Sequence, residues 1–438
     1  MKDYFYHLGD VLTAGLEDGE VLLLAFDGEE SDFVRFNQAR VRQAGSVVRR
    51  SLEIDLIEGA RHAGGRVELS GDAAQDQPLL MGLLAELRHQ RHHLPEDPYI
   101  HYATGGPSGD HEVAAALPPR GEALEAIRGA AAGLDLAGIW AAGTLHSGFA
   151  SSLGQRNWHT RASFNLDWSC HHTADKAVKA NYAGLEWNPA MLEARMATAR
   201  RELGLMAGPP RTIEPGRYRA YLAPRAMREL LSMMAWGGFG LKSQRTGQSP
   251  LLPMSAAGAR FASTVHLAEH NGRGLEPPFS PEGFAIPPRV PLIDGGRYGE
   301  SLVGPRSAME YGLPVNAAAE FPGSLDMAAG ELPAADVLAT LGTGLYLNDL
   351  WYLNFSDRSR ARVTGMTRFA CFWVEDGRSQ APLNVMRFDD TLFDLLGPRL
   401  EGLTRERELL LDAGTYGGRS SHSHLLPGAL VNGMTFTL

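Results

Sequence analysis

A segment rich in proline and glycine divides the chain into two parts with different sequence patterns. Ala207–Gly216 contains three prolines and two glycines, and these residues interrupt helices and strands. The chain has 438 residues, which is more than a single hydrophobic core usually serves. The sequence therefore predicts an N-terminal domain over 1–208 and a C-terminal domain over 216–438.

The first part shows both strand and helix patterns. Phe33–Gln43 and Val47–Ile57 alternate apolar and polar residues, which predicts adjacent antiparallel strands with one wet face. Leucines at helical spacing predict a helix over Gln77–His93. Asn188 and Pro189 suit the N-cap and the first position of another helix. We therefore predict a mixed α/β domain with an antiparallel sheet.

The second part is mainly strands and turns. One helix is predicted over Arg225–Trp236, and dense glycine and proline between Gly247 and Pro322 predict long loops. The predicted strands are Arg217–Leu222, Phe261–Ala268, Val290–Ile293, Gly344–Leu350, Thr367–Glu375 and Leu430–Phe436. The predicted fold class is therefore α+β, with a largely β C-terminal domain.

Three dipeptides are typical of turns. Asp27-Gly28 ends the apolar run Glu20–Phe26, while Asp376-Gly377 and Asn432-Gly433 lie between apolar segments. Asn-Gly and Asp-Gly supply the positive φ angles that tight hairpins need. We predict hairpins at the second and third dipeptides and a turn at the first.

Charge and cysteine content restrict the classes of partner and compartment. The net charge is −10, which argues against nucleic acid or an anionic membrane surface as a partner. No apolar run approaches the ~20 residues of a spanning helix, and we expect no secretory signal after Met1. The only cysteines are Cys170 and Cys371, which fits a reducing compartment. We therefore expect a cytoplasmic protein.

Five segments in a fixed order carry a resemblance to a known family. The last of them ends in the sequence Trp373–Gly377, which is similar to the family's most recognisable C-terminal stretch. The segments are Phe33–Asn37 with Val41–Gln43, His146–Gly154, the linker that leads into a strand and helix, Thr264–Gly272, and Gly342–Tyr346 continued by Phe369–Gly377. In this order they resemble the TldD/PmbA family of peptidase-related proteins over nearly the whole chain.

The resemblance implies a two-domain fold and an active heteromer. Its TldD members carry a zinc site made of an HExxxH helix motif and a cysteine near the C-terminus. In motifs of this kind the histidines hold zinc and the glutamate acts as general base. The TldE members are companions that lack the zinc-binding residues.

The zinc ligands of the active members are missing here. Leu231 and Trp236 stand at the two histidine positions, and Ser232 stands at the glutamate. The helix has the apolar spacing of a core helix, and we expect both Leu231 and Trp236 to be buried. Near the C-terminus, Tyr416 and the two glycines after it replace the cysteine. A catalytic zinc needs three protein ligands and an open position. The chain is therefore similar to a TldE-type member, with no catalytic residue and no metal ligand of its own.

Two pairs of histidines remain as candidate sites. His266 and His270 lie in a predicted strand, where about 13 Å would separate them, so they cannot share a metal. His422 and His424 are two residues apart, which on a strand puts both side chains on one side at about 6–7 Å. We predict that His422 and His424 line a substrate channel; a metal site or a plain polar surface are the alternatives.

These observations lead to a functional expectation with two alternatives. We expect a non-catalytic TldE-type subunit that pairs with a TldD-like subunit bearing HExxxH, with zinc in that partner. The pair would bind an unstructured peptide, which the C-terminal domain could take by strand addition, and channel it to proteolysis. The alternatives are an independent metal hydrolase built on His422 and His424, and a non-enzymatic peptide-binding homodimer.

Overall fold

A seven-stranded sheet forms the centre of the first part of the molecule. The computed structural model describes residues 1–173 and 176–437. The strands are β1 (Val21–Asn37), β2 (Arg40–Glu58), β3 (Arg61–Glu68), β4 (Gly109–Val113), β5 (Asp135–Ser151), β6 (Arg156–His171) and β7 (Ala177–Gly184). Their order is β3-β2-β1-β5-β6-β4, with β7 paired to β6. All neighbours are antiparallel except β4 and β6.

Four helices cover one face of this sheet. They are α1 (Lys2–Ala14), α2 (Ala73–Arg91), α3 (Arg120–Ala130) and α4 (Pro189–Met206). Beneath them lie Phe26, Trp140, Trp158, Phe164 and Trp168, all buried. The helix that begins at Pro189 is confirmed, because the Asn188 side chain accepts a hydrogen bond from the Ala190 N–H at 2.9 Å. The opposite face of the sheet meets the second part of the chain.

Strands that close on themselves dominate the second part. The strands are β8 (Gly216–Leu222), β9 (Leu267–Glu269), β10 (Val290–Asp294), β11 (Arg297–Tyr298), β12 (Ser324–Met327), β13 (Gly344–Asp357), β14 (Arg362–Glu375), β15 (Arg378–Pro382), β16 (Arg387–Thr391), β17 (Leu400–Leu411) and β18 (Ser423–Phe436). β8 pairs with both β13 and β18, and β14 and β16 complete the circuit between those two. Five strands therefore form a closed ring.

One long helix packs against this ring. It is α5 (Pro224–Gly238), and its buried residues Met227, Leu230, Leu231 and Met234 contact the core shared with β13 and β18. The other helices are short: α6 (Leu241–Arg245), α7 (Leu252–Ala257), α8 (Pro305–Tyr311), α9 (Val337–Leu341) and α10 (Leu392–Leu395). As predicted, long loops connect the short elements between Gly247 and Pro322.

The predicted fold class is confirmed, whereas the domain boundaries stay a prediction. The first part combines four helices with an antiparallel sheet, and the second is mostly strands. The segment between α4 and β8 contains neither helix nor strand, but this alone does not define the limits 1–208 and 216–438. None of the helices in the described ranges is long and apolar enough to cross a membrane.

Two of the three predicted turns are wrong. Asp27 and Gly28 lie inside β1, paired with Ser51 and Arg50; a Cβ on Gly28 would lie 3.3 Å from the His146 Cβ, so the glycine permits close packing. Gly433 also lies inside a strand, at an irregularity in the pairing of β18. Only Asp376-Gly377 forms a hairpin, between β14 and β15.

Two predicted strands also differ from the structure. Phe33–Gln43 is not one strand, because Gln38 and Ala39 have φ values of 51° and 55° and form the tight turn between β1 and β2. The segment Phe261–Ala268 is mostly irregular, and only its end belongs to β9. The backbone groups of Phe261 and Val265 bond to Gly296 instead of a neighbouring strand.

Candidate functional site

The helix at the family's zinc position presents no metal ligand. Leu231 is fully buried in the core, and Ser232 is half-buried beside it. Trp236 is 57% exposed, which contradicts the expectation from sequence that it packs in the core. Regular helical geometry ends before it, since Trp236 has a ψ of 82° and Gly237 a φ of 75°.

Trp236 instead lies on the surface against an arginine and a second ring. The Arg358 guanidinium is 5.3 Å from the Trp236 ring centre, and the Phe355 ring centre is 6.2 Å away. Arg358 also donates a hydrogen bond of 2.6 Å to the Trp236 carbonyl oxygen. The two residues at the predicted histidine positions therefore have different surroundings, one in the core and one at a helix end.

The third family position lies in an exposed loop. Tyr416 is fully exposed between β17 and β18, and Gly417 and Gly418 follow it with positive φ. A leucine, a tryptophan and a tyrosine supply neither imidazole nor thiolate, so these residues do not fit a zinc ion. Across residues 1–173 and 176–437, no three His, Cys, Asp or Glu side chains are placed to hold a metal together.

His422 and His424 lie at the start of β18 in different environments. His422 is exposed, with its Nε2 3.7 Å from Glu276 Oε1 and its ring 6.1 Å from the Phe321 ring. His424 pairs along the backbone with Leu325 and Leu410. Burial lowers the pKa of His424 to about 4, and the charge of Arg228 acts in the same direction. Their role in binding substrate stays a prediction.

His266 and His270 stand at the two ends of the short strand β9. The Nδ1 atom of His266 is 2.8 Å from Asp294 Oδ1. His270 has a buried Nδ1 atom that lacks a partner among the residues described. The structure thus gives each histidine its own surroundings.

A row of buried polar side chains on β6 is the feature that sequence analysis missed. Asn157, His159, Arg161, Ser163 and Asn165 alternate along the strand, and each is less than 8% exposed. We call these five residues the polar face. The residues between them carry the aromatic core under the helices, so the polar face points toward the second part of the molecule. The sequence does show polar and apolar residues alternating over His159–Trp168. Alternation alone, however, predicts that the polar side of the strand is exposed to solvent.

Neighbouring strands extend the polar face across the sheet. Through the pairing of β1, β5 and β6, Glu29 lies in line with Arg161, and Ser31 lies in line with Ser163. Arg161 donates a hydrogen bond of 3.1 Å to Ser147 Oγ. Burial lowers the pKa of the Arg161 guanidinium, while the charge of Glu276 opposes the shift.

Arg419 from the loop between β17 and β18 inserts into this surface. Its Nη2 donates to the carbonyl and hydroxyl oxygens of Ser163 at 2.9 and 2.5 Å, and its Nη1 donates to Ser31 Oγ at 3.3 Å. The Arg419 backbone N–H donates to Glu29 at 3.2 Å. Burial lowers the pKa of Arg419 to about 10. Arg419 therefore connects the loop that carries Tyr416 to the first sheet, and the Asn165 side chain adds a hydrogen bond of 3.3 Å to the Asp412 carbonyl oxygen of the same loop.

Several buried polar atoms of this region have no hydrogen-bond partner within the described chain. On the polar face they are both ring nitrogens of His159, the Arg161 Nε and the Asn165 Oδ1, and on β1 the Glu29 Oε1. Burial lowers the pKa of His159 to about 4, and Arg161 adds to the shift. An unsatisfied buried polar group costs about 1–3 kcal/mol. Such a concentration is typical of a functional surface rather than of a packed core.

Two glutamates of the second part lie near each other, and the charge of one of them, Glu276, acts on Arg161 of the polar face. Glu276 accepts a hydrogen bond of 2.7 Å from Ser421 Oγ and lies near His422. Glu269 is buried, and its carboxylate accepts the Ser324 N–H at 2.9 and 3.1 Å. Burial raises the pKa of Glu269 to about 8, despite that hydrogen bond.

A groove continues the polar face toward one end of the sheet. Its volume is about 870 Å³, within the range of small-molecule and peptide sites. It is lined by residues of β1, β2, β5 and β6, among them Arg35, Gln43 and Asp167, and by Ala413 from the loop that carries Arg419. We call it the sheet groove.

The comparisons with known proteins agree with this architecture. Residues 215–438 match the family described as the PmbA/TldA metallopeptidase C-terminal domain. No curated protein sequence matches the chain.

Solved structures resemble the whole chain at low sequence identity. A proposed modulator of a DNA gyrase from Thermotoga maritima has a TM-score of 0.78 at 14% identity, covering 99% of this chain and 100% of its own. TldE from Thermococcus kodakarensis has a TM-score of 0.76 at 12% identity, with the same coverage. A proposed modulator of DNA gyrase from Bacteroides thetaiotaomicron has a TM-score of 0.74 at 15% identity, covering 100% of this chain and 98% of its own. The family match spans 224 of 438 residues, and we conclude that the chain belongs to the PmbA/TldD family.

Proposed function

We propose that this protein is a non-catalytic, TldE-type subunit of a TldD/TldE-like zinc peptidase complex. The observation that carries the proposal is the loss of every family ligand position in a chain that keeps the family fold. Leu231, Ser232, Trp236 and Tyr416 offer no imidazole, carboxylate or thiolate at these positions, and catalytic zinc needs three protein ligands. Hydrolysis then belongs to a TldD-like partner with an intact HExxxH motif.

The role we assign to this subunit is to bind and channel an unstructured peptide. The unpaired atoms of His159, Arg161, Asn165 and Glu29 include both donors and acceptors. An extended peptide carries N–H and C=O groups at every residue and could satisfy such a surface with little demand on side-chain sequence. The sheet groove leads to the same surface and gives room for an extended chain.

The free edge of β2 supports peptide or partner binding by strand addition. β2 pairs with β3 only from Ser51 onward, while the preceding residues from Arg40 to Val48 pair with β1 alone and are exposed. A long open edge offers unpaired backbone groups to another strand. The five strands of the closed ring pair with neighbours on both sides. The edge of β2 therefore fits strand addition better than the C-terminal domain, where the sequence led us to expect it.

The compartment and stoichiometry complete the proposal. Cys170 and Cys371 are both free and buried, and burial raises their pKa to about 12 and about 11. Inert buried thiols fit the cytoplasm. We propose a heterodimer in which His422, beside Glu276 at the mouth of the polar surface, and His424 help line the path of the peptide.

A reconstitution experiment tests the proposal. The isolated chain, the HExxxH-bearing homologue from the same organism and an equimolar mixture are incubated with an unstructured, fluorescently labelled peptide. We expect no cleavage by the isolated chain and chelator-sensitive cleavage by the mixture. The matched control is a homologue whose motif glutamate is replaced by glutamine, which should bind this chain without cleaving.

Two results would contradict the proposal and point to the alternatives. If the isolated chain contains about one zinc per molecule, cleaves peptide, and loses both with His422→Ala, it is an independent metal hydrolase. If it forms a stable homodimer that binds peptide and does not associate with the homologue in size-exclusion chromatography, it acts without a catalytic partner.

A further inference from the structure

A second cavity lies in the C-terminal part, apart from the polar face and the sheet groove. It has a volume of about 330 Å³ and is formed at β9, β12 and the loops that follow them. Its charged and imidazole-bearing lining residues are His266, His270, Arg273, Arg289, Asp326 and Arg407. None of the five residues of the polar face contributes to it. The volume is at the small end of ligand-binding cavities.

Positive charge exceeds negative charge in this cavity. Asp326 is buried, and one nitrogen from each of two arginines contacts it: Arg407 Nη1 at 2.6 Å and Arg273 Nη1 at 3.3 Å. Arg289 has neither a hydrogen bond nor an ion pair to any part of the chain that the structure describes. Three guanidinium groups and one carboxylate thus line the cavity, in a protein whose net charge is −10.

The two histidines add hydrogen-bonding atoms to the cavity. The Nδ1 atom of His266 lies 2.8 Å from Asp294 Oδ1 and 3.2 Å from the Gly295 backbone nitrogen. His270 has its buried Nδ1 without a partner among the described residues. Burial lowers the pKa of His270, which keeps the ring neutral at neutral pH. A neutral ring can donate one hydrogen bond to a ligand without adding charge.

We propose that this cavity binds a small oxyanion, of the phosphate or carboxylate type. Fork-shaped guanidinium groups match the oxygen geometry of both ligands. Asp326 holds Arg273 and Arg407 in place through one nitrogen each and leaves their other N–H groups available. Arg289 supplies a positive charge that no carboxylate of the described chain neutralises.

Titration calorimetry with inorganic phosphate tests the proposal, at an ionic strength kept constant with chloride. We expect saturable binding at one site per chain. Arg289→Gln should weaken binding by about tenfold, the effect of losing one charge-assisted hydrogen bond. Arg378→Gln is the matched control. Arg378 is an exposed arginine on β15, and its substitution removes the same charge away from the cavity. Both positions are exposed, so both variants should melt like the wild type.

A competition experiment identifies the source of the oxyanion. An acetylated tripeptide with a free C-terminal carboxylate is titrated against bound phosphate, beside the same peptide as its amide. If only the free acid displaces phosphate, the proposal is supported and the site is assigned to peptide carboxyl ends. If phosphate binds and neither peptide displaces it, the proposal is supported and the site is assigned to phosphate. The proposal is overturned if phosphate binding does not saturate, or if Arg289→Gln and Arg378→Gln weaken it equally.

Discussion

Leu231 and Trp236 show how two residues at equivalent motif positions can differ in their contribution to stability. Leu231 is fully buried beside Met227 and Leu230, whereas more than half of the Trp236 side chain is in solvent. The Trp236 ring lies against Arg358 and Phe355 at the surface. Trp236 has the larger side chain, but it contributes less to the core than Leu231 does.

We predict that Leu231→Ala lowers the free energy of unfolding by about 2–5 kcal/mol. Trp236→Ala should cost about 1 kcal/mol or less, because an exposed ring loses little buried area. Urea unfolding of both variants and the wild type measures the difference. A larger loss for Trp236→Ala than for Leu231→Ala would show that Trp236 packs in the core after all.

Restoring the motif should fail for the same reason. In the triple variant Leu231→His, Ser232→Glu and Trp236→His, the buried position 231 loses its apolar contacts, and Tyr416 still supplies no third ligand. We expect a destabilised protein without tight zinc binding, measured by thermal melting and elemental analysis. A variant that melts like the wild type and binds one zinc would contradict this expectation.

Glu269 gives the protein a specific dependence of stability on pH. Burial raises its pKa to about 8 in the folded protein, whereas an unfolded glutamate has a pKa of about 4.3. Between these values the folded state holds a proton that the unfolded state releases. The contribution of Glu269 to stability is therefore fully present below about pH 4.3 and is lost as the pH rises through about 8.

We predict that the free energy of unfolding of Glu269→Gln, compared with that of the wild type, is more favourable at pH 8.5 than at pH 5.5. Glutamine keeps an oxygen that can accept the Ser324 N–H but has no proton to lose. Urea unfolding of both proteins at both pH values gives the comparison, in which other titrating groups cancel. An equal difference between variant and wild type at the two pH values would mean that Glu269 is ionised in the folded state.

At the scale of elements, the loop between β17 and β18 depends on Arg419. The side chain reaches Ser31 and Ser163 on the first sheet, and the backbone N–H reaches Glu29. Tyr416 at the tip is fully exposed. The Asn165 side chain also donates to the Asp412 carbonyl oxygen at the start of the loop. Because the tip beyond Asp412 is held to the first sheet through Arg419, we expect the tip to be released without unfolding the strands on either side.

We predict that Arg419→Ala accelerates chymotrypsin cleavage after Tyr416, with an unchanged far-UV circular dichroism spectrum. The released loop can adopt the extended form that the protease requires. Mass spectrometry of the fragments identifies the cleavage site, and Arg378→Ala serves as the control for the loss of one positive charge. Identical cleavage rates for Arg419→Ala and the control would show that other contacts hold the loop.

At the scale of the whole molecule, a buried ion-pair network joins the two parts of the chain. Arg225 at the start of α5 contacts Asp349 on β13 at 3.1 Å, and Asp167 on β6 at 3.4 Å. Asp349 is buried, and Asp167 also has Lys179 at 3.6 Å. Removing Arg225 would leave Asp349 as the unpaired charge.

We predict that Arg225→Leu lowers the free energy of unfolding by about 3–5 kcal/mol, the usual cost of leaving a buried charge unpaired. The double variant Arg225→Leu/Asp349→Leu should recover a large part of this loss, because the uncompensated carboxylate is gone. Denaturant unfolding of the two variants measures both values. A double variant less stable than the single one would show that the pair itself stabilises the assembly of the two parts.

Much of the fold follows from local sequence, but part of the site does not. The helix after Asn188 and the strands in the first sheet have strong periodicity and clear end signals, so their type was predictable. Gly28 and Gly433 misled the prediction because a glycine that permits close packing has the same local sequence as one that forms a turn. The exposure of Trp236 was unpredictable because it depends on where the helix ends.

The sequence by itself determined the family resemblance, the fold class and the absence of ligand chemistry at Leu231, Ser232, Trp236 and Tyr416, because these depend on residue identity and local periodicity. Only the tertiary structure decided that the polar side of β6 is buried against the second part rather than wet. It also decided that Arg419 binds a serine 388 positions earlier in the chain. Alternation along a strand is the same for a wet face and for a buried polar face, and the partner that covers the face is set by long-range packing.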